Sequence, residues 1–424
     1  MLKNFKMNKT HPASNSLDIL FNFIIITIVS LTFNGMILNS RQSTMHEKFF
    51  MLFNAGLVTV YWYVQTFLKQ RFEKHNVFFK IITLMKVLSL GIIATALDLL
   101  IFRNNTSPGK EPLWIEKIGI IIWITGYIVS RLILLIEYTL CILSNKDNKT
   151  LVKITTPKAI SRLVVILIGI IHLLLIIEGF DFAVTTYIFM PLYISIEFLG
   201  NVLFVTDKNL SNISKISISD ASERYKKLTT LYIGSFFISG TIQFAYYLKN
   251  PSELHALFSL TMVYLIGFLM WWFYSEYSHH LDIKQNAVNL WKLSFSNIFT
   301  TWGITLFGAS IINSHNDKNI EYILGSAPIG LMIVIIFMNL FLSSLKSPEK
   351  LTILNFKKQA WITGAFNSLV LISFSMVSIF RNDIFIPMWS LYVVSILVLL
   401  STIWVSYISR WFYIRKQNKM KQNN

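Results

Sequence analysis

The chain has 424 residues, of which 54% are hydrophobic, 15% are aromatic and only 14% are charged. Ordinary soluble domains carry about a quarter charged residues, so this composition excludes a typical soluble globular protein. The formal net charge is +17, but the 38 Lys and Arg residues are spread over many short segments and form no basic stripe, which argues against nucleic-acid binding. A single cysteine, Cys141, excludes an intrachain disulfide and a CxxC metal site.

Twelve apolar stretches follow one another along the chain, each long enough to cross a bilayer, which takes about 20 residues. They occupy residues 17–38, 48–68, 78–102, 117–142, 160–178, 184–205, 228–248, 254–275, 289–313, 323–343, 358–380 and 386–409. The segments between them are too short to form a soluble domain with its own core. The sequence therefore predicts an all-α polytopic integral membrane protein of about twelve transmembrane helices.

The distribution of basic residues predicts the orientation of these spans. If the N-terminus is cytoplasmic, 28 of the 38 Lys and Arg residues fall in inside segments, eight fall outside, and Lys86 and Arg131 lie within spans. The positive-inside rule then predicts an N-in, C-in protein. We expect a multi-pass protein of a bacterial cytoplasmic membrane, with anionic lipid headgroups as partners at its cytoplasmic face.

The two halves of the chain show weak self-similarity. Lys80 and Lys292 open the third and ninth spans, and Gly91 and Gly303 follow them by eleven residues each. Because six spans is an even number, the halves are predicted to be two parallel six-helix repeats, with chance matching at membrane interfaces as the alternative. The predicted organisation is a cytoplasmic tail (1–16), a first half (17–205), a cytoplasmic amphipathic linker (206–227), a second half (228–409) and a basic cytoplasmic tail (410–424).

Ionisable residues inside spans are costly and usually face the bundle interior, so each is a candidate functional residue. Arg131 and Glu197 are expected slightly cytoplasmic of the membrane midplane. Lys86 and Glu137 are expected one to two helical turns from the inner face. We predict the ion pairs Arg131–Glu197 and Lys86–Glu137. Two interpretations remain open: the pairs lock the register of the helices, or they line a substrate or ion pathway.

Further polar candidates lie at the ends of the first and seventh spans. Asp18 and Asn22 are one turn apart, share a helix face and are expected near the two pairs. Glu223 and Arg224 form a charged pair at the cytoplasmic mouth of the seventh span.

Two other features have simpler alternatives. His172 is predicted to make a hydrogen bond between helices. The stretch Gly325-Ser326-Ala327-Pro328-Ile329-Gly330 is the one that looks like a broken helix, although a kinked helix is the more common outcome. The sequence contains no HExxH, Walker A or GxSxG motif, and we predict no cofactor.

Four short signatures occur in order over nearly the full length. They are Asp18-Ile19-Leu20-Phe21-Asn22-Phe23-Ile24, Arg131 with Tyr138, Glu223-Arg224-Tyr225 with Gly234, and Trp271-Trp272 with Tyr274. In this pattern the chain resembles the bacterial low-temperature-requirement protein A family. It departs from the family's pattern at Asn22, Asp220, Lys226 and Ser235, where the family has an acid, a histidine, a glycine and a glutamate. Asn22 and Ser235 therefore have no charge to titrate.

The resemblance implies an integral membrane protein that supports growth in the cold, without a settled molecular activity. Our leading hypothesis is a secondary transporter or channel-like permease for a small solute or ion. The alternatives are a membrane enzyme or lipid-handling factor and a non-catalytic scaffold or sensor, and a homo-oligomer is left open. The hypothetical pathway residues are Asp18, Asn22, Lys86, Arg131, Glu137, Glu197, Glu223 and Arg224.

Overall fold

The structure is a computed structural model that describes residues 16–38, 45–72, 77–102, 113–202, 218–247, 253–278, 287–313, 320–343, 350–380 and 389–405. These residues are almost entirely helical, and no strand occurs among them. The helices are α1 Ser16–Leu38, α2 Met45–Phe72, α3 Val77–Phe102, α4 Leu113–Ser144, α5 Lys149–Ile177, α6 Phe182–Val202, α7 Ile218–Tyr247, α8 Glu253–Ser278, α9 Ala287–Ile312, α10 Ile320–Ser343, α11 Lys350–Phe380 and α12 Trp389–Val405.

Eight of these helices are long and apolar enough to cross a membrane: α1, α3, α4, α5, α8, α9, α10 and α11. The chain is therefore an all-α multi-pass membrane protein. Each of the twelve apolar stretches predicted from the sequence overlaps one helix. Whether α2, α6, α7 and α12 also cross the membrane stays a prediction.

The outer face of α5 shows why a bilayer is the natural surrounding of these helices. Leu163, Leu167, Ile170 and Leu174 follow one another at helical spacing and are all exposed. Soluble monomers rarely expose contiguous apolar patches of this kind, whereas lipid covers them without cost.

The chain divides into two compact units, Met1–Ala221 and Ser222–Asn424. In the first unit, six helix pairs pack against each other: α1 with α3, α3 with α4, α4 with α5, α5 with α6, α6 with α2, and α2 with α1. These pairs close a ring of six helices in the order α1, α3, α4, α5, α6, α2. A ring has an interior, and the side chains that point there can be shielded from lipid.

Two tight turns connect α4 to α5 and α5 to α6 in this ring. Asn148 precedes α5, and its carbonyl accepts from the amide of Val152 at 3.0 Å. At the other end of α5 the amide of Phe180 bonds the carbonyl of Leu175 at 3.0 Å, and Gly179 has a φ of 94°. This left-handed glycine terminates α5 in a Schellman motif, which favours glycine because a side chain is strained there.

In the second unit, α9 and α10 cross backbone to backbone. A Cβ atom placed on Gly303 would lie 2.5 Å from the carbonyl oxygen of Gly330, and one on Gly330 would lie 2.8 Å from that of Gly303. A similar close approach brings Gly364 of α11 against the amide of Asn339 on α10. Small residues allow such approaches between membrane helices.

The structure adds detail to three expectations about helix boundaries. First, α10 is one continuous helix that includes Pro328, so residues 325–330 do not break it, which is the more common of the two outcomes considered. Second, α5 begins at Lys149, eleven residues before the predicted span, and the carbonyl of Asn148 accepts its first helical hydrogen bond. Third, α7 begins at Ile218, so the last ten residues of the predicted linker are helical, while residues 206–217 lie outside the described part of the chain.

Candidate functional site

Five charged side chains from four helices of the first unit are buried together, and we call them the charge cluster. They are Lys86 of α3, Arg131 and Glu137 of α4, Arg162 of α5 and Glu197 of α6. None is more than 4% exposed. Charged groups rarely occupy such positions unless they are paired or functional.

Glu197 is the centre of the charge cluster. Its Oε1 accepts from Arg131 Nε at 2.6 Å and from the Tyr127 hydroxyl at 2.7 Å. Its Oε2 lies 3.5 Å from Arg162 Nη1. One carboxylate on α6 therefore connects guanidinium groups from α4 and α5. The predicted Arg131–Glu197 pair is confirmed.

Arg131 also reaches α2, which is not its neighbour in the ring. Its Nη2 donates to the carbonyl of Leu57 at 3.3 Å, and its Nη1 donates to the Ser130 hydroxyl at 2.8 Å. The guanidinium carbon lies 4.0 Å from the ring centre of Tyr127 and 4.8 Å from that of Tyr61. These cation–π contacts and hydrogen bonds hold the guanidinium across the ring interior.

The second predicted pair is also confirmed. Lys86 Nζ donates to Glu137 Oε1, which joins α3 to α4. Lys86 is fully buried and Glu137 is 4% exposed, so the pair has little contact with solvent or lipid headgroups. Breaking such a pair from one side leaves an uncompensated buried charge.

Arg162 is the member of the charge cluster that sequence reasoning missed. It was counted among the basic residues of a cytoplasmic segment, but the structure buries it completely in α5. A signal was present, because Lys158, Arg162, Gly169 and His172 lie on one helical stripe, and all four are buried. The stripe was missed because α5 was expected to begin only at residue 160.

The guanidinium of Arg162 differs from that of Arg131 in its hydrogen bonds. Within the described structure, Arg162 Nε, Nη1 and Nη2 are buried and have no well-aligned hydrogen-bond partner. The hydroxyls of Tyr61 and Tyr138 are likewise buried and lack a well-aligned hydrogen bond. Both interact electrostatically with Arg162, and Tyr138 also lies close enough to it for a weak hydrogen-bonding contact. Nearly all buried polar groups in proteins are hydrogen-bonded. A guanidinium and two interacting hydroxyls that all lack well-aligned hydrogen bonds are therefore unusual.

The charge cluster lies at two depths. Lys86 is six residues after Lys80, the start of its candidate span, and Arg162 is seven residues after Thr155. Glu137 is seven residues before Ser144, the end of its own span. These intervals place all three about 10 Å from the span ends, at 1.5 Å per residue. Arg131 lies about two turns deeper, near the middle of the span Lys117–Ser144.

Of the remaining predicted residues, the structure describes the side chains of Asn22 and Arg224. Asn22 is half-buried, and its Oδ1 accepts from Trp62 Nε1 at 2.7 Å. Arg224 is partly exposed on α7, in the second unit. The side chains of Asp18 and Glu223 lie outside the described part of the structure. The expectation that Asp18 and Asn22 lie near the pairs therefore stays a prediction.

His172 makes the predicted hydrogen bond between helices. Its Nδ1 lies 3.0 Å from the hydroxyl of Tyr193, which joins α5 to α6. Its ring stacks on Phe189 at a centroid distance of 4.3 Å. The histidine therefore positions α6, the helix that carries Glu197.

A neutral junction beside the charge cluster was also missed. Asn54 of α2 donates from Nδ2 to the Thr32 hydroxyl at 3.0 Å and accepts at Oδ1 from Trp123 Nε1 at 2.8 Å. It thus ties together α1, α2 and α4. An isolated asparagine in an apolar stretch has no sequence signal that distinguishes such a junction from an ordinary interhelical bond.

The second unit has a different polar interior. Tyr225 donates to the Ser294 hydroxyl at 2.9 Å, and Tyr274 donates to Asn297 Oδ1 at 3.3 Å. Among the side chains described in this unit, every buried polar residue is neutral. The chemistry that charged groups can perform is therefore concentrated in the first unit.

The charge cluster contains three cations and two carboxylates, so it carries one surplus positive charge. Both carboxylates already accept from protein donors. No group of three His, Cys, Asp or Glu residues suited to a metal ion occurs in the part of the chain that the structure describes. The arrangement is suited to holding an acceptor group near Arg162.

No protein-family model matches the chain, and no match was found among the curated proteins.

Proposed function

We propose that the protein is a secondary transporter or channel-like permease for a small solute or ion, with the charge cluster as part of its pathway. The observation that carries this proposal is the fully buried Arg162 guanidinium without well-aligned hydrogen bonds. Arg162 joins α5 to α6 through its ion pair with Glu197. Even so, a cluster that served only to join helices would also be expected to satisfy the donors of its guanidinium groups, because desolvation of unbonded donors is costly.

Packing around the charge cluster supports the proposal that α2 and α6 also span the membrane. α6 carries Glu197, which bonds Arg131 near the middle of a candidate span. α2 carries Leu57, whose carbonyl accepts from the same guanidinium. A helix that contacts a residue at that depth must itself reach that depth. The same reasoning does not extend to α7 and α12, whose crossing rests on sequence alone.

The resemblance to the low-temperature-requirement protein A family is retained as a proposal. Several of its signature residues are buried, whereas Phe23, Trp271 and Trp272 are exposed. Arg131 and Tyr138 lie in or beside the charge cluster, while Tyr225 and Tyr274 donate hydrogen bonds to α9 in the second unit. We likewise propose a bacterial cytoplasmic membrane with anionic headgroups at the cytoplasmic face.

Thiol accessibility tests the pathway directly. In a Cys141→Ala background, Ser130→Cys and Ile194→Cys place single thiols beside the charge cluster, on α4 and α6. A membrane-impermeant thiol reagent is applied to vesicles of each orientation. We expect labelling at both positions, because an aqueous path allows the thiol to ionise and the reagent to enter.

Two control variants calibrate the labelling. Asp147→Cys lies in the exposed turn between α4 and α5 and should react readily from one side. Leu167→Cys lies on the lipid-facing side of α5 and should stay unreactive. If Ser130→Cys and Ile194→Cys are protected from both sides like Leu167→Cys, the transport proposal is wrong.

The second candidate function is a non-catalytic scaffold or sensor. It is favoured by the near-complete burial of all five charges and by the bonds that both carboxylates already make. Protection of both engineered thiols would support this candidate.

A further inference from the structure

Arg162 and two tyrosine hydroxyls that interact with it account for most of the buried donor atoms without well-aligned hydrogen bonds in the described part of the first unit; Thr186 Oγ1 and His172 Nε2 are others. We propose that Arg162, with the hydroxyls of Tyr61 and Tyr138, forms a binding site for one small monovalent anion. If the bound anion is also the transported substrate, this inference rests on the proposed function. The existence of the binding site does not depend on that function.

The hydrogen-bond donors of the site favour a ligand that accepts hydrogen bonds. A guanidinium carries five N–H donors and no acceptor. None of its three nitrogens in Arg162 has a well-aligned hydrogen-bond partner in the described structure, and the two tyrosine hydroxyls are in the same condition. A ligand that only accepts hydrogen bonds suits every one of these donors. A halide or a compact carboxylate has this property, whereas an ammonium ion or a metal cation does not.

The surplus positive charge of the charge cluster favours an anionic ligand over a neutral one. Arg131, Arg162 and Lys86 face two carboxylates, Glu137 and Glu197. A buried unbalanced charge is expensive, and one monovalent anion would neutralise it. A water molecule could bond the donors but would leave the charge unbalanced.

The contact distances explain why the Glu197 carboxylate is not already the acceptor for the Arg162 donors. Its Oε1 is held by Arg131 and Tyr127 at 2.6 and 2.7 Å, whereas Oε2 stays 3.5 Å from Arg162 Nη1. At that distance the pair attracts without a good hydrogen bond. Arg162 is thus attracted by Glu197, while its N–H donors stay without a well-aligned acceptor.

The size of the ligand follows from burial. Arg162 and Tyr61 are fully buried, and Tyr138 is as well. An anion with a large substituent would need an opening that exposes these side chains. We therefore expect chloride, bromide or a short carboxylate to bind at Arg162. A bulky anion such as gluconate should not fit among the buried side chains of this site, even where a pathway beside it admits a thiol reagent.

The test uses the purified full chain in detergent. The protein is first equilibrated in sodium gluconate, and chloride, bromide or acetate then replaces gluconate at constant ionic strength. We measure the melting temperature and the binding of radioactive chloride by equilibrium dialysis. The expected result is a saturable rise in melting temperature, since a ligand that binds the native state stabilises it, with about one chloride bound per chain.

Variants locate the site. Arg162→Gln should abolish the saturable response. Tyr61→Phe and Tyr138→Phe, which remove only the hydroxyl, should each weaken binding by roughly tenfold, the usual effect of one hydrogen bond to a charged group. Tyr274→Phe in the second unit is the matched control and should leave the anion response unchanged. If Arg162→Gln fails to fold, the two tyrosine variants still decide the question.

Two results would overturn the site. A folded wild-type protein without a saturable anion response means that the donors are satisfied by water. An equal response in wild type, Tyr61→Phe, Tyr138→Phe and Tyr274→Phe means a general salt effect. Saturable binding together with protected thiols at Ser130→Cys and Ile194→Cys would instead show a structural anion, so the transport proposal would fail while the site stands.

Discussion

Glu197 shows how one side chain can hold a buried cluster together. It is 1% exposed and contacts donors from α4 and α5. A carboxylate at this depth is costly by itself, but two guanidinium groups and a hydroxyl compensate its desolvation. Without it, two arginines would face each other with no negative charge between them.

We predict that Glu197→Gln is strongly destabilising. The neutral amide keeps the shape but leaves Arg131 and Arg162 uncompensated, and breaking a buried pair from one side costs about 3–5 kcal/mol. The measurement is the melting temperature of the purified variant in detergent. Glu178→Gln in the exposed turn after α5 is the control and should have almost no effect, so similar losses in both variants would contradict the central role of Glu197.

We also predict that Lys86 and Glu137 are coupled. Lys86→Met or Glu137→Met alone should destabilise by several kcal/mol, because each leaves one buried charge. The double variant should lose less than the sum, because two apolar side chains of similar volume can replace an ion pair. A double-mutant cycle of melting temperatures measures this coupling. Strictly additive losses would mean that the two residues act independently.

At the scale of helices, Asn54 joins three elements with one side chain. We predict that Asn54→Leu destabilises the first unit by about 1–3 kcal/mol, since the Trp123 indole and the Thr32 hydroxyl both lose a partner. Thr125→Val is the comparison, because its hydroxyl bonds only its own helix at Ile121. Equal melting temperatures for the two variants would refute the junction.

The close crossing of α9 and α10 predicts the direction of a stability change, because the room for an added methyl group differs between glycines. Gly303→Ala should destabilise, because its Cβ would lie 2.5 Å from a backbone carbonyl and the helices would have to separate. Gly234→Ala on α7 is the matched control, with nothing within 4 Å of its added Cβ. It should be neutral or stabilising by up to about 1 kcal/mol, the difference in helix propensity. Melting temperatures that fall in both variants, or in neither, would contradict this packing.

At the scale of the whole molecule, two short turns test the predicted orientation. Lys146 and Lys149 flank the turn between α4 and α5, whereas the turn between α5 and α6 carries Glu178 and Asp181. The positive-inside rule places the first turn in the cytoplasm and the second outside. An impermeant thiol reagent should therefore label Glu178→Cys in intact cells and Asp147→Cys only in inside-out vesicles, both in the Cys141→Ala background. The reverse pattern would invert the topology.

The two units also differ in what they bury. Buried charges occur in the first unit, while the buried polar residues described in the second are neutral. The environments of the matched glycines differ as well, since Gly303 lies at a tight crossing and Gly91 has nothing within 4 Å. The parallel repeat stays a prediction, and any shared architecture would have to accommodate this difference in packing.

The sequence by itself determined the helical class, the position of each apolar helix and the partners within the two ion pairs. These features depend on local hydrophobicity and on depth along a helix, which can be counted from residue numbers. Three cluster features could not be derived in this way: the burial of Arg162, the reach of Arg131 to Leu57 and the Asn54 junction. Each depends on which helices become neighbours in the ring, and on the early start of α5 at Lys149. Only the tertiary structure decides these, because the order of helices in space is set by packing between segments that are far apart in the chain.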